Sequence, residues 1–231
     1  MTTTTAMPDR ATLAATIGYG AVVLVHLVAQ LTGPEALRTW TQIVAMPVLA
    51  IVLLAATRAP RGHLASWLLA GIALSWLGDS APKLAGEHSF IVMVAFFLLA
   101  QVAYVVAFWP DRARSILARG SRGWPVPLGA YLVVLALLLV WCVPGAGSLL
   151  VPVVLYGVVL VAMTVLATGV NRLTALGGAL FVVSDGLIAL NAFAGWYELA
   201  WHGFAVMSTY LVAQGLLLAG VIATNRLARR P

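Results

Sequence analysis

Eight apolar stretches of about 20 residues, parted by a few polar or helix-breaking residues, leave this chain little choice of solvent. They run approximately over 11–31, 39–57, 62–81, 88–109, 125–143, 148–169, 173–194 and 202–225. A hydrocarbon core of roughly 30 Å takes about 20 residues of α-helix to cross. The runs are continuous rather than alternating, which selects helices over a barrel. Breakers mark the connections: Gly33-Pro34, Pro60-Arg61-Gly62 and Pro144-Gly145-Ala146-Gly147, with 110–124 the one sizeable loop. Only 9% of the residues are charged, against about 25% in soluble domains. The expected architecture is all-α, a polytopic membrane protein of eight transmembrane helices forming a single transmembrane domain over 1–231.

A net charge of +6 would suggest nucleic acid in a soluble chain, but here the cations sit in loops and report orientation instead. With eight crossings, one side holds both termini and Arg10, Arg58, Arg61, Arg112, Arg114, Arg119, Arg122, Arg172, Arg226, Arg229 and Arg230. The other side holds only Arg38 and Lys83. That bias predicts both termini in the cytoplasm, and the chain is expected in a bacterial plasma membrane. The first apolar run is too long for a signal-peptide core and is expected to stay as a span. The single Cys142 excludes an intrachain disulfide and a cysteine-based metal cluster.

Two of the spans carry an acid. In Gly177-Gly178-Ala179-Leu180-Phe181-Val182-Val183-Ser184-Asp185-Gly186-Leu187-Ile188-Ala189-Leu190-Asn191 the carboxylate has no cation within several residues. Placing an acid there costs roughly 2.5–3.5 kcal/mol on insertion scales, so such residues are functional by default. Gly71-Ile72-Ala73-Leu74-Ser75-Trp76-Leu77-Gly78-Asp79-Ser80 has the same layout, Gly-x-Ala-Leu followed by a small residue and Asp. Pro47 and Pro152, Asp79 and Asp185, and Ala100-Gln101 and Ala213-Gln214 recur at similar offsets. These recurrences suggest two parallel four-helix repeats, 11–109 and 125–225. Asp79 and Asp185 are then expected to meet in one intramembrane site in the outer half.

Polar residues on the same spans extend the candidate site. Ser184 and Asn191 share a helix face beside Asp185, and Gly178 and Thr174 stack beneath it, a small-residue arc that admits close approach. Gln101 and Tyr104, and Tyr210 and Gln214, are each one turn apart, serving either as interhelical glue or as substrate contacts. Lys83 lies four residues after Asp79 with Pro82 between them, so it either pairs with that acid or reaches the headgroups. His88 and His202 open spans at the outer interface, while His26 and His63 stand apart. No metal-ligand spacing, nucleophile elbow or phosphate loop is present, and neither a metal nor a cofactor is implied. On these residues alone a proton-coupled small-molecule transporter and a non-catalytic lipid-binding protein are the alternatives to an enzyme.

The Ser184-Asp185 block, Leu77-Gly78-Asp79, Phe97-Leu98-Leu99-Ala100-Gln101-Val102-Ala103-Tyr104 and Tyr210-Leu211-Val212-Ala213-Gln214 together resemble the YhhN family, the lysoplasmalogenase membrane proteins. The resemblance covers about 40–225. The family usually has Lys-Pro where this chain has Met46-Pro47, and Ala-His where it has Ala100-Gln101. The resemblance implies hydrolysis of the vinyl ether of a lysoplasmalogen-type lysolipid to a fatty aldehyde and a glycerophospho-base, with a lysophospholipid or ether lipid as the partner in the bilayer. Protonating the β-carbon of a vinyl ether gives an oxocarbenium-like cation that water captures, a task for one neutral and one ionised carboxyl. A carboxyl withdrawn from water favours its neutral form. The deeper Asp185 is therefore the candidate general acid, and Asp79 the group that stabilises the cation and activates water.

Overall fold

The computed structural model describes residues 9–118 and 125–228. Four of the cations that set the expected orientation, Arg119, Arg122, Arg229 and Arg230, lie outside the described residues. Among the described residues the chain forms eight α-helices and no strand. They are α1 (Arg10–Thr32), α2 (Glu35–Ala56), α3 (His63–Ser80), α4 (Ser89–Phe108), α5 (Pro125–Ala146), α6 (Leu150–Val170), α7 (Arg172–Phe193) and α8 (His202–Ala228).

Seven continuous helical segments are long and apolar enough to cross a membrane, one fewer than the expected eight spans. The difference lies at Pro144-Gly145-Ala146-Gly147. α5 runs through Pro144, and Val126–Val170 forms one helical stretch. This stretch is folded back on itself. A Cβ added to Gly157 of α6 would fall 2.9 Å from Leu135 Cδ1 of α5, whereas 22 residues of straight helix would separate them by roughly 33 Å. The reversal sits at Gly147, whose φ of 51° is open to glycine and strained for other residues.

α8 is the hub. It packs along α7 and also touches α1, α2, α3 and α6, while among the described elements α1 touches only α2 and α8 and lies at the margin. Asn171 fixes α7 against this hub. Its side-chain oxygen caps α7 by accepting from the backbone N–H of Leu173 and Thr174, and its amide donates to Gly220 O and Thr224 Oγ1 of α8 at 2.8 and 3.0 Å. Asp9 caps α1 through Thr12 N at 2.7 Å and feels the charges of Arg58 and Arg226, so the start of α1 and the ends of α2 and α8 share one face. The core between the helices holds Met46, Leu49, Leu53, Tyr104, Phe108 and Phe181, all nearly inaccessible. This is an integral membrane protein built as an all-helical bundle.

Candidate functional site

α3 delivers Asp79 one residue before its last, at the end of the bundle opposite the face that holds Arg58 and Arg226. Gly78 makes room beside it. A Cβ there would lie 2.9 Å from the ring of Phe97, so the α4 aromatic rests directly on bare α3 backbone. Asp79 is 4% exposed, and both of its oxygens are engaged: Oδ1 accepts from Gln42 Nε2 of α2 at 3.0 Å, Oδ2 from the Tyr210 hydroxyl of α8 at 2.9 Å. The Gln42 amide is in turn oriented by Lys83, whose Nζ donates to Gln42 Oε1 at 3.0 Å.

α7 delivers Asp185, and its glycines set how closely the neighbours approach. A Cβ on Gly177 would lie 2.9 Å from Ala213 O of α8, and one on Gly178 would lie 3.1 Å from Thr164 Cα of α6. The expected small-residue arc is therefore a helix-packing surface on two sides. Asp185 accepts at Oδ2 from the Tyr156 hydroxyl of α6 at 2.6 Å and from Gln101 Nε2 of α4 at 3.3 Å. No donor among the described residues reaches Oδ1. The other end of the Gln101 amide, Oε1, is buried without a hydrogen-bond partner.

Both acids line one cavity of about 390 Å³. Its polar wall is Gln42, Asp79, Ser184, Asp185, Asn191, His202 and Tyr210, and its apolar wall includes Phe90, Met93, Phe97, Ile188 and Met207. Ser184 also ties the cavity floor to α8, donating to Val206 O at 3.1 Å. His202 shares a hydrogen bond of 3.0 Å between its Nδ1 and the Tyr197 hydroxyl. Asp185 differs from Asp79 in also lining a second, apolar pocket with Val94, Val153 and Phe193.

The structure sorts the residues singled out from sequence into three groups. Asp79, Asp185, Ser184, Asn191 and Tyr210 share the cavity wall. Gln101, Tyr104 and Gln214 are fully enclosed behind that wall. Tyr104 donates to Gln214 Oε1 at 2.8 Å and Gln214 Nε2 donates to Ser75 Oγ at 3.0 Å, a closed network joining α3, α4 and α8. Lys83 sits in the turn Ala81–Leu84 that follows α3, and its hydrogen bond goes to Gln42 rather than to Asp79. Gln42 and Tyr156 escaped the sequence reading: Tyr156 is an isolated hydrogen-bonding residue inside an apolar run, whereas Gln42 follows Thr39 and Thr41 at the polar start of its span. His202, read as an interfacial residue, lines the cavity. Among the described residues no three His, Cys, Asp or Glu side chains gather closely enough to hold a metal ion.

The model of the YhhN family matches residues 37–221. The chain belongs to the YhhN family. Every residue of the cavity wall from Gln42 to Tyr210 falls within the match, and α1, which supplies none of them, falls outside it. The rat protein named lysoplasmalogenase TMEM86B is 30% identical over 187 residues, covering 80% of this chain and 74% of that relative. No solved structure gives a significant match. In this YhhN-family chain Met46 is packed in the core and Gln101 touches Asp185. The departure at 101 thus lies against a carboxylate, whereas the one at 46 lies within apolar packing.

Proposed function

We propose that this YhhN-family protein is a membrane-embedded, lysoplasmalogenase-like hydrolase that cleaves the vinyl ether of a lysolipid with Asp79 and Asp185. One observation carries the reading. Two carboxylates share a cavity, and their hydrogen bonding differs in the way the reaction requires. Donors on both oxygens suit Asp79 to the ionised, acceptor-only form. Asp185 lines the cavity and keeps one oxygen free of donors among the described residues, so a carboxylic proton there is available to substrate.

In this reading Asp185 passes its Oδ1 proton to the β-carbon of the vinyl ether, and the electrons of the C=C bond form the new C–H bond. The positive charge left on the α-carbon and ether oxygen is stabilised by the Asp79 carboxylate. Water then bonds to the α-carbon as Asp79 takes its proton, giving a hemiacetal. On collapse the hemiacetal hydroxyl returns a proton to Asp185, the C–O bond to glycerol breaks, and the departing oxygen takes the proton held by Asp79. Aldehyde and glycerophospho-base leave, and both acids are back in their starting states. His202 in the cavity wall and the exposed Lys83, bonded to the lining residue Gln42, suit a phosphate-bearing headgroup. The cation asymmetry supports cytoplasmic termini, which puts the cavity in the outer half of a bacterial plasma membrane.

Mass spectrometry of products from purified protein and a panel of lysolipids tests this. Aldehyde and glycerophospho-base should form from vinyl-ether substrates. No change in any lipid, together with pH-dependent solute uptake into proteoliposomes, would replace the hydrolase with a carrier.

A further inference from the structure

The polar cavity is one end of a longer passage. Phe90, Met93, Phe97, Asp185 and Ile188 line both it and the neighbouring apolar pocket, a neck of about 60 Å³. Phe90, Val94 and Val153 continue from this neck into a groove of about 280 Å³ between the outer halves of α4 and α6. Every residue lining the groove is apolar, and its rim residues Ile91, Val151 and Leu155 are half or more exposed on the flank of the bundle. In a membrane that flank faces hydrocarbon. The passage therefore runs from lipid, through a neck whose one carboxyl group is Asp185, to a polar chamber with a second acid.

We propose that the α4–α6 groove and its neck hold the single hydrocarbon chain of the substrate, with the headgroup end in the polar cavity and the ether carbons beside Asp185. The proposal rests on the hydrolase reading and adds how the substrate lies. An enol ether joins a polar glycerol to an alkyl chain, so it belongs where polar lining gives way to apolar lining. Asp185 is the acid at that boundary, since Asp79 lines the polar chamber alone. Moving methylenes from lipid into an apolar groove exchanges one hydrocarbon environment for another and yields little affinity. Its effect is register: a chain threaded through the neck fixes which carbon faces Oδ1. The neck, at about 60 Å³, is smaller than the spaces of about 390 and 280 Å³ that it joins, so the proposal seats one chain there and not two.

Photolabelling tests this without relying on turnover. The probe is a saturated alkyl-ether lysolipid, which the proposed chemistry cannot cleave, with a diazirine at the chain end. It is applied to the full-length protein in nanodiscs. Label should concentrate on 91–98 of α4 and on 149–155, the start of α6 and the residue before it. It should be displaced there, and not from the lipid-facing side of α1, by excess unlabelled single-chain lysolipid. Val94→Trp and Val153→Trp, which fill the neck, should each cut the displaceable label about tenfold. Label that excess lysolipid does not displace, or that a two-chain phospholipid displaces equally well, overturns the proposal. Displaceable label in a protein that releases no aldehyde from vinyl-ether lipids would retain the chain site and remove the hydrolase reading, so the two failures are separable.

Discussion

The phenol of Tyr156 on α6 donates to Oδ2 of Asp185 on α7 at 2.6 Å. The bond that orients the candidate acid thus comes from a helix other than the one that carries it, and it engages Oδ2 while Oδ1 has no donor among the described residues. A hydrogen bond to a charged or chargeable group contributes about 1.5–3 kcal/mol. Tyr156→Phe should therefore lower kcat for aldehyde release about 10- to 100-fold while leaving KM near its starting value. An unchanged kcat would mean that the phenol does not set the orientation of the acid.

Gln101 carries a polar atom, Oε1, that is buried without a partner, a situation that costs about 1–3 kcal/mol. Gln101→Met keeps the volume and removes that atom, along with the 3.3 Å bond from Nε2 to Asp185. The variant should melt at the same or a higher temperature than the parent and turn over more slowly. Thermal unfolding in detergent and aldehyde release, measured on one preparation, check both halves. A variant that is less stable and equally active would contradict the assignment of Gln101 as a residue that positions Asp185.

Lys83 is exposed and hydrogen-bonds Gln42 rather than Asp79 itself. If its charge meets a headgroup phosphate, Lys83→Met should raise KM about 3- to 10-fold with kcat within about twofold, the pattern of lost uniform binding. A fall in kcat at constant KM would instead assign Lys83 to holding the Gln42 amide against Asp79.

Gly177 admits α8 so closely that a Cβ would sit 2.9 Å from the Ala213 carbonyl. A backbone atom cannot step aside as a side-chain tip can. Gly177→Ala should destabilise by about 1–3 kcal/mol, as overpacking does. The check is a lower melting temperature in detergent, with any residual activity proportional to folded protein.

How much of this was legible in the sequence follows from what each feature depends on. The helices were, because a bilayer crossing needs an apolar run and nothing subtler. α3, α4 and α7 match their expected spans to within one residue at each end. The Asp79–Asp185 cavity was legible because an acid inside such a run is rare enough to stand out. Its hydrogen-bond partners were not. α3 and α7 are apolar on nearly every side, so their sequences carry no stripe to say which face turns inward. The choice of Gln42 and Tyr156 depends on that rotation. For Lys83 the spacing left two readings open, and the tight turn that Pro82 opens over Ala81–Leu84 carries the lysine to Gln42. Within the expected connection 144–147, α5 continues through Pro144 and the chain reverses at Gly147, where φ is positive.

The central claim is that Asp185 and Asp79 carry the chemistry together, and turnover in Asp185→Asn and Asp79→Asn measures it most directly. Each substitution keeps the size of the side chain and removes either the proton donor or the fixed negative charge. General acid–base groups contribute about 10²- to 10⁴-fold. Aldehyde release from a vinyl-ether lysolipid should fall by at least the lower of these factors in each variant, with unchanged elution and melting temperature. Parental rates in either variant would contradict the account.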